Sequence, residues 1–118
     1  MFKIGIVGQG FVGSAIREGL KSFYSLKTYD LDHSKSTVES LKDLVDLSDL
    51  IFVCLPTPMR KSGMCDTRIV AETILKIDEL SSDKEKIVII KSTVPPGTTE
   101  KLQKKCSNIS LNFSPEFL

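Results

Sequence analysis

Three glycines near the start of the chain have a spacing suited to binding a diphosphate. Gly8, Gly10 and Gly13 form the pattern G-x-G-x-x-G within G-Q-G-F-V-G. In this pattern the first glycine permits a tight turn, the second admits a pyrophosphate to bare backbone, and the third lets a helix pack closely on a strand. The helix start would also direct N–H groups and a positive dipole end at the phosphates. A glycine turn without a ligand is the alternative, so the surrounding elements decide the meaning.

A carboxylate follows the glycines at the distance typical of a ribose-binding residue. Asp30 stands about 20 residues beyond them, where an acid accepts hydrogen bonds from the adenosine ribose hydroxyls. Its charge would repel the additional phosphate of NADP, which favours NAD as the cofactor, although Lys35 could soften that preference. Asp32 is the rival for this role, and either acid could simply cap the helix that follows.

Three further segments place polar residues and prolines directly after apolar runs. They are V-C-L-P-T-P (Val53 to Pro58), K-S-T-V-P-P-G-T-T (Lys91 to Thr99) and N-F-S-P-E-F-L (Asn112 to Leu118). In an open α/β sheet, ligands bind outside the carboxyl ends of the strands. We therefore expect the three segments to meet the glycine turn at one edge of a sheet.

The pattern of apolar residues predicts the elements that position these segments. Five β-rich runs predict strands over residues 2–7, 26–29, 50–55, 87–90 and 109–113. Helical spacing predicts four helices between them: over 11–22, after a cap at Ser34 or Ser36, after a cap at Asp66, and from Pro96 to about Lys105. The alternation predicts a single-domain α/β fold, Rossmann-like, with a doubly wound parallel sheet of strand order 3-2-1-4-5.

Composition and charge narrow the class of protein. A chain of 118 residues suffices for one domain. The net charge of +1, with both signs interleaved, favours neither nucleic acid nor an anionic membrane as partner, and no apolar run is long enough to span a membrane. Three widely spaced cysteines and one histidine offer no metal site and suggest the reducing cytoplasm. The charged run over 81–86 is predicted to be a solvated loop.

Together, the glycine motif and the three segments closely resemble, in order and spacing, the N-terminal NAD-binding domain of the UDP-glucose/GDP-mannose dehydrogenase family. The resemblance covers essentially the whole chain. It implies an enzyme of polysaccharide biosynthesis that oxidises the C6 alcohol of a UDP- or GDP-linked sugar to a carboxylate with NAD. The family's central helix and C-terminal UDP-binding domain would lie outside residues 1–118, and a homodimer or a C-terminal partner domain stays open.

The resemblance implies roles for particular residues. Ser92 and Thr93 would lie near the nicotinamide and the reacting carbon, and Thr93 would be a catalytic contact. Glu116 would be the second catalytic residue, handling the water that hydrolyses a covalent intermediate. As alternatives, the Thr93 hydroxyl could bond only to local backbone, and Glu116 could be an exposed acid. The cofactor-binding set is Gly8, Gly10, Phe11, Val12, Gly13, Asp30, Lys35, Pro56, Thr57, Pro58, Ser92 and Thr93.

Enzymes of this family form a thioester on a cysteine later in their sequence, assisted by a lysine of the central helix. Neither that cysteine nor that lysine is among residues 1–118. Cys54 lies in an apolar strand, Cys106 ends a helix far from the ligand edge, and Cys65 lies in the cofactor-side loop outside any matching motif. We therefore expect this chain to bind NAD without turnover by itself. A stand-alone non-catalytic NAD-binding module or a split subunit is the alternative. A β-hydroxyacid dehydrogenase-like cofactor domain is a second one, but it would not explain the three segments together.

Overall fold

A computed structural model describes residues 2–63, 66–81 and 86–114. Strands and helices alternate along these residues, and apart from α2 their bounds agree with the predicted ones to within two residues. The elements are β1 Lys3–Val7, α1 Phe11–Leu20, β2 Ser25–Tyr29, α2 Leu41–Asp46, β3 Leu50–Val53, α3 Arg68–Leu80, β4 Lys86–Ile90, α4 Thr98–Lys105 and β5 Ile109–Phe113, with a 3-10 turn at His33–Lys35 between β2 and α2.

The strands form one parallel sheet in the order β2-β1-β3-β4-β5. This confirms the α/β class, the five strands and their common direction. The predicted order 3-2-1-4-5 differs in one respect: it puts the third strand outside β2, whereas β3 lies beside β1, with Gly5 opposite Ile51. The chain therefore reverses direction across the sheet at the boundary between β1 and β3, because β2 lies on one side of β1 and β3, β4 and β5 lie on the other.

The segment after β2 explains this difference. Ser36 and Thr37 run back along the outer edge of β2, where the Thr28 N–H donates to the Thr37 hydroxyl at 2.8 Å and the Thr37 N–H donates to the Thr28 carbonyl at 2.9 Å. The Asp30 N–H donates to the Ser36 hydroxyl at 2.8 Å. Side-chain hydroxyls thus satisfy the edge that a third strand would otherwise cover.

The same contacts delay the second helix. The sequence predicts its start from a cap at Ser34 or Ser36, but the Ser36 hydroxyl bonds to Asp30, and α2 begins only at Leu41. Ser40 caps it, because its hydroxyl accepts the N–H of Asp43 at 3.2 Å. Ser36 and Thr37 bond to Thr28 and Asp30 at the end of β2 instead of to a helix.

The main core lies between the sheet and α2, α3 and α4. Alternate strand residues point into it, whereas α1 packs on the opposite face near the buried Ile4 and Ile6, as right-handed crossovers require. That second face is less covered beyond β1, since Ile87 of β4 is 41% exposed. The core comprises Val7, Leu44, Val45, Ile51, Val53, Val70, Ile74, Ile77, Val88, Ile90, Val94, Leu102, Ile109 and Leu111.

Two local predictions need correction. The charged run over 81–86 is not solvated at its ends, because Ser81 and Lys86 are both buried and the Lys86 ammonium donates to the Ser48 carbonyl at 2.6 Å. Residues 82–85 lie outside the described residues. Asp66 precedes the helix cap: Thr67 occupies that position, and Asp66 accepts the N–H of Arg68 and pairs with its guanidinium. None of the helices in the described ranges has the length and hydropathy to cross a membrane.

Candidate functional site

The three glycines of the turn are required for different reasons. Gly8 has a φ of +96°, and a Cβ there would collide with the carbonyl oxygen of Cys54. A Cβ on Gly13 would collide with the carbonyl oxygen of Gly8. A Cβ on Gly10 would meet nothing within 4 Å. The fold itself thus excludes side chains at Gly8 and Gly13, while Gly10 presents bare backbone to open space, as the approach of a diphosphate requires.

The start of α1 offers hydrogen-bond donors beside this bare backbone. Gly10 is its N-cap and provides no side-chain cap, and the first main-chain helical bond runs from the Ser14 N–H to the Gly10 carbonyl at 3.0 Å. The N–H groups of residues 11–13 therefore have no partner within the helix. Such a helix start is suited to an anionic ligand.

The two candidate acids have different places. The carboxylate of Asp30 accepts the N–H of Gln9 at 2.7 Å and the N–H of Asp32 at 2.8 Å, so it lies against the glycine turn. Asp32 caps the 3-10 turn, where hydrogen bonds from the hydroxyl and N–H of Ser34 lower the pKa of the Asp32 carboxyl. The capping alternative therefore holds for Asp32, and Asp30 is the acid that faces the site.

A cleft of about 410 Å³ lies between the glycine turn and the ends of β3 and β4. It sits at the β1/β3 boundary, where the strand order reverses and where open α/β sheets bind ligands. Gly8 and Gly13 form the turn behind it, and Pro58 is not among its lining residues. The other predicted residues line it together: Gly10, Phe11, Val12, Asp30, Lys35, Pro56, Thr57, Ser92 and Thr93.

Two neighbouring residues of the K-S-T-V segment behave differently. The buried Ser92 hydroxyl donates to the Leu55 carbonyl at 2.7 Å and accepts the Leu55 N–H at 2.9 Å, which ties the end of β4 to the end of β3. Thr93 is exposed at the cleft, and its hydroxyl makes no hydrogen bond to the described parts of the chain. The Thr93 hydroxyl is thus exposed at the cleft and is not bonded to local backbone among the described residues.

Sequence reasoning missed several lining residues. Lys91 brings a cation into the cleft, where its ammonium donates to the Ser114 hydroxyl at 3.3 Å, and Cys54 and Leu55 line the cleft beside it. The sequence signal for these lining residues was that they directly follow β4 and β3, at the strand ends where ligands bind. Burial raises the pKa of the Cys54 thiol to about 12, an effect that the opposing field of Lys91 does not overcome. Cys54 is therefore neutral and unsuited to nucleophilic attack.

A second cavity, of about 370 Å³, lies on the other side of Asp30 and shares Leu55 with the first. Leu31, Ile69 and Thr73 are among its other lining residues, so its surface is mostly apolar. The sequence signal would have been the exposed Leu31 directly after Asp30.

Two predicted residues cannot be placed, and one thiol is remote. Glu116 and Cys65 lie outside the described residues. Cys106 ends α4, and burial raises the pKa of its thiol. Within residues 2–63, 66–81 and 86–114 there is no group of three His, Cys, Asp or Glu side chains that could hold a metal ion.

Comparison with known proteins points to one family. Residues 34–118 match the family model described as UDP-glucose/GDP-mannose dehydrogenase family, NAD binding domain. An uncharacterized protein of Methanocaldococcus jannaschii is 32% identical over 98% of this chain, and the UDP-glucose 6-dehydrogenase of Rickettsia bellii is 31% identical over 77% of it. A solved UDP-glucose dehydrogenase from Pyrobaculum islandicum shares the fold over 100% of this chain, with a TM-score of 0.88 and 24% identity. This chain spans only 16%, 22% and 36% of these three proteins.

Proposed function

The chain belongs to the UDP-glucose/GDP-mannose dehydrogenase family, as its NAD-binding domain, and we propose that it positions NAD for oxidation of the C6 alcohol of a UDP- or GDP-linked sugar to a carboxylate. The observation that carries the proposal is the cleft at the β1/β3 boundary. It gathers bare glycine backbone, a helix start, a carboxylate and an exposed hydroxyl within one volume. Parts of the family's fold outside residues 1–118 would hold most of the nucleotide sugar, in the cytoplasm.

The lining residues fit the chemical parts of NAD. Gly10 and the start of α1 would hold the diphosphate, and Asp30 would accept the adenosine ribose hydroxyls. The neighbouring apolar cavity beside Leu31 would take the adenine ring. Bound NAD supplies the hydride acceptor. Its nicotinamide would lie toward Thr93, whose hydroxyl would orient the reacting alcohol.

The cofactor assignment predicts a preference for NAD over NADP. Two like charges about 4 Å apart in partly solvated surroundings cost about 1 to 4 kcal/mol, so Asp30 should weaken NADP binding by roughly 5-fold or more. Calorimetric titration of the chain with both cofactors measures this. NADP binding as tight as NAD binding would remove Asp30 from the ribose site.

The diphosphate assignment predicts that Gly10→Val weakens cofactor binding without unfolding the protein. A Cβ there meets no protein atom within 4 Å, and the branched side chain would occupy the space of the diphosphate, so NAD affinity should fall by at least about 10-fold. Gly19→Val is the matched control, because Gly19 also lies on α1 with open space around it but far from the cleft. Unchanged NAD affinity in Gly10→Val, at a melting temperature close to that of the parent, would refute the diphosphate site.

The catalytic assignment concerns Thr93 and Glu116 in an enzyme completed by fusion or co-expression with the rest of the fold. Groups that orient the alcohol or the hydrolytic water act on the transition state more than on bound NAD. We expect kcat to fall by about 100-fold or more in Thr93→Ala and Glu116→Gln, with NAD affinity nearly unchanged. Thr99→Ala is the control, since Thr99 belongs to the same segment but lies in α4. Rates within about twofold of the parent would reduce Thr93 and Glu116 to structural positions.

A further inference from the structure

The carboxylate of Asp30 is bonded to the turn that would receive the diphosphate. One oxygen accepts the Gln9 N–H at 2.7 Å, and Gln9 lies between the first two glycines of the turn. The adjacent Gly8 N–H donates to the Tyr29 carbonyl at 2.8 Å, so the turn and the end of β2 are joined twice. We infer that Asp30 is a positioning residue for the diphosphate-binding turn, in addition to contacting ribose. This inference rests on the proposed binding of NAD.

Asp30 would position the turn through its hydrogen bond to the Gln9 peptide. The Gln9 side chain is 6% exposed, and its amide donates to the Gly8 carbonyl at 3.2 Å. Its own carbonyl accepts the Ser14 hydroxyl of α1 at 3.0 Å. The Gln9 peptide therefore connects β2, through Asp30, with the first turn of α1, through Ser14. Without the carboxylate, a partly buried N–H in the turn would lose its partner, and the turn would lose one of its two links to β2.

The same carboxylate can serve the ribose as well. An ionised carboxylate offers about four acceptor positions. The N–H groups of Gln9 and Asp32 occupy one on each oxygen of Asp30. Two positions remain for the ribose hydroxyls, so contacting the ribose and holding the turn are compatible.

The direction in which anion affinity changes when Asp30 is removed separates its role as a ribose contact from its role in holding the turn. Asp30 carries a negative charge close to the place of a diphosphate, so its removal should tighten the binding of any anion that makes no use of the ribose contact. If Asp30 holds the turn, its removal should weaken that anion instead. The inference also implies that changing Asp30 relieves the repulsion of the additional NADP phosphate but weakens the diphosphate contact that both cofactors share.

The probes are ADP and 2′,3′-dideoxy-ADP, which keeps the diphosphate but lacks both ribose hydroxyls. We expect Asp30→Ala to weaken dideoxy-ADP by at least about fivefold, since it removes one hydrogen bond of the turn. Asp30→Asn keeps one acceptor oxygen for the Gln9 N–H but removes the negative charge, so it should bind dideoxy-ADP at least as tightly as the parent. Asp32→Ala removes a nearby acid that does not line the cleft and should change neither affinity.

Equal or tighter binding of dideoxy-ADP to Asp30→Ala would overturn the inference and leave Asp30 as a ribose contact only. Failure of the parent chain to bind NAD or ADP would refute the proposed function instead. If Asp30→Ala does not fold, NMR of the parent chain decides. The Gln9 N–H should then exchange with solvent slowly, as an amide bonded to the Asp30 carboxylate does, and exchange as fast as that of an unbonded amide would overturn the inference.

Discussion

Cys54 is a thiol inside the cleft that cannot ionise at neutral pH. It lies beside Lys91, which favours the thiolate, but burial disfavours the charge more strongly and raises the pKa of Cys54 to about 12. The folded pKa exceeds the ordinary value of 9.0, so burying the neutral thiol stabilises the folded state below about pH 9. That stabilisation is lost as the pH rises toward about 12.

The raised pKa predicts slow alkylation of Cys54. A difference of about three pKa units lowers the thiolate fraction at pH 8 by roughly 1000-fold, and the thiolate is the form that reacts. Iodoacetamide labelling followed by peptide mass spectrometry should therefore modify Cys54 slowly in the folded chain and rapidly in urea. Labelling of folded Cys54 as fast as in urea would show that the thiol is ionised or open to solvent.

The positions of the glycines and of the acid were predictable from the sequence, because binding a dinucleotide requires a glycine turn and a carboxylate at this spacing. Gly8, Gly13 and Asp30 occupy the places that their spacing predicted. That the Ser92 hydroxyl bonds to backbone was not predictable. Ser92 turns to Leu55, 37 positions earlier in the chain, and only tertiary structure brings that backbone within reach.

At the scale of elements, strand positions followed from apolar runs, but the strand order did not. Order depends on whether the residues after β2 form another strand, and their sequence leaves that open. The answer comes from Ser36 and Thr37, whose hydroxyls bond to the edge of β2 and replace a strand there. Side-chain to backbone bonds of this kind have no apolar periodicity, so hydrophobic patterning could not reveal them.

Two glycine substitutions should change the stability of the fold in opposite directions, because Gly5 is tightly packed and Gly19 is not. A Cβ on Gly5 would press against the Ser48 hydroxyl and lie 2.7 Å from a methyl group of Leu44, so Gly5→Ala should destabilise the fold by about 1 to 3 kcal/mol. Gly19→Ala adds a methyl group to α1 in open space and should stabilise by about 0.5 to 1 kcal/mol. Urea unfolding of both variants measures the difference. Equal stability of Gly5→Ala and the parent would mean that α2 can move away from the sheet without cost.

At the scale of the whole molecule, a parallel sheet brings distant segments to one edge. The turn after β1 and the loops after β3 and β4 come from three separate parts of the chain, yet they line one cleft. This convergence was predictable from strand direction alone. The apolar cavity beside Leu31 was not predictable, because it forms where α3 approaches the end of β2. No sequence motif marks that contact.

The residues described here are equipped to hold NAD but not to complete an oxidation to a carboxylate. A thioester route needs a reactive thiolate, while Cys54 stays protonated and Cys106 lies at the end of α4, where burial raises the pKa of its thiol as well. The chain also spans only 16% to 36% of the three proteins compared with it, so most of a nucleotide-sugar site would come from elsewhere.

We therefore predict that the purified chain shows no sustained rise in NADH absorbance with UDP-glucose or GDP-mannose, although it binds NAD. Gly10→Val serves as the blank, at an NAD concentration that the parent binds and this weakened variant does not. A steady rate from the parent chain that is absent in this variant would contradict the prediction and make Cys65 the first residue to substitute.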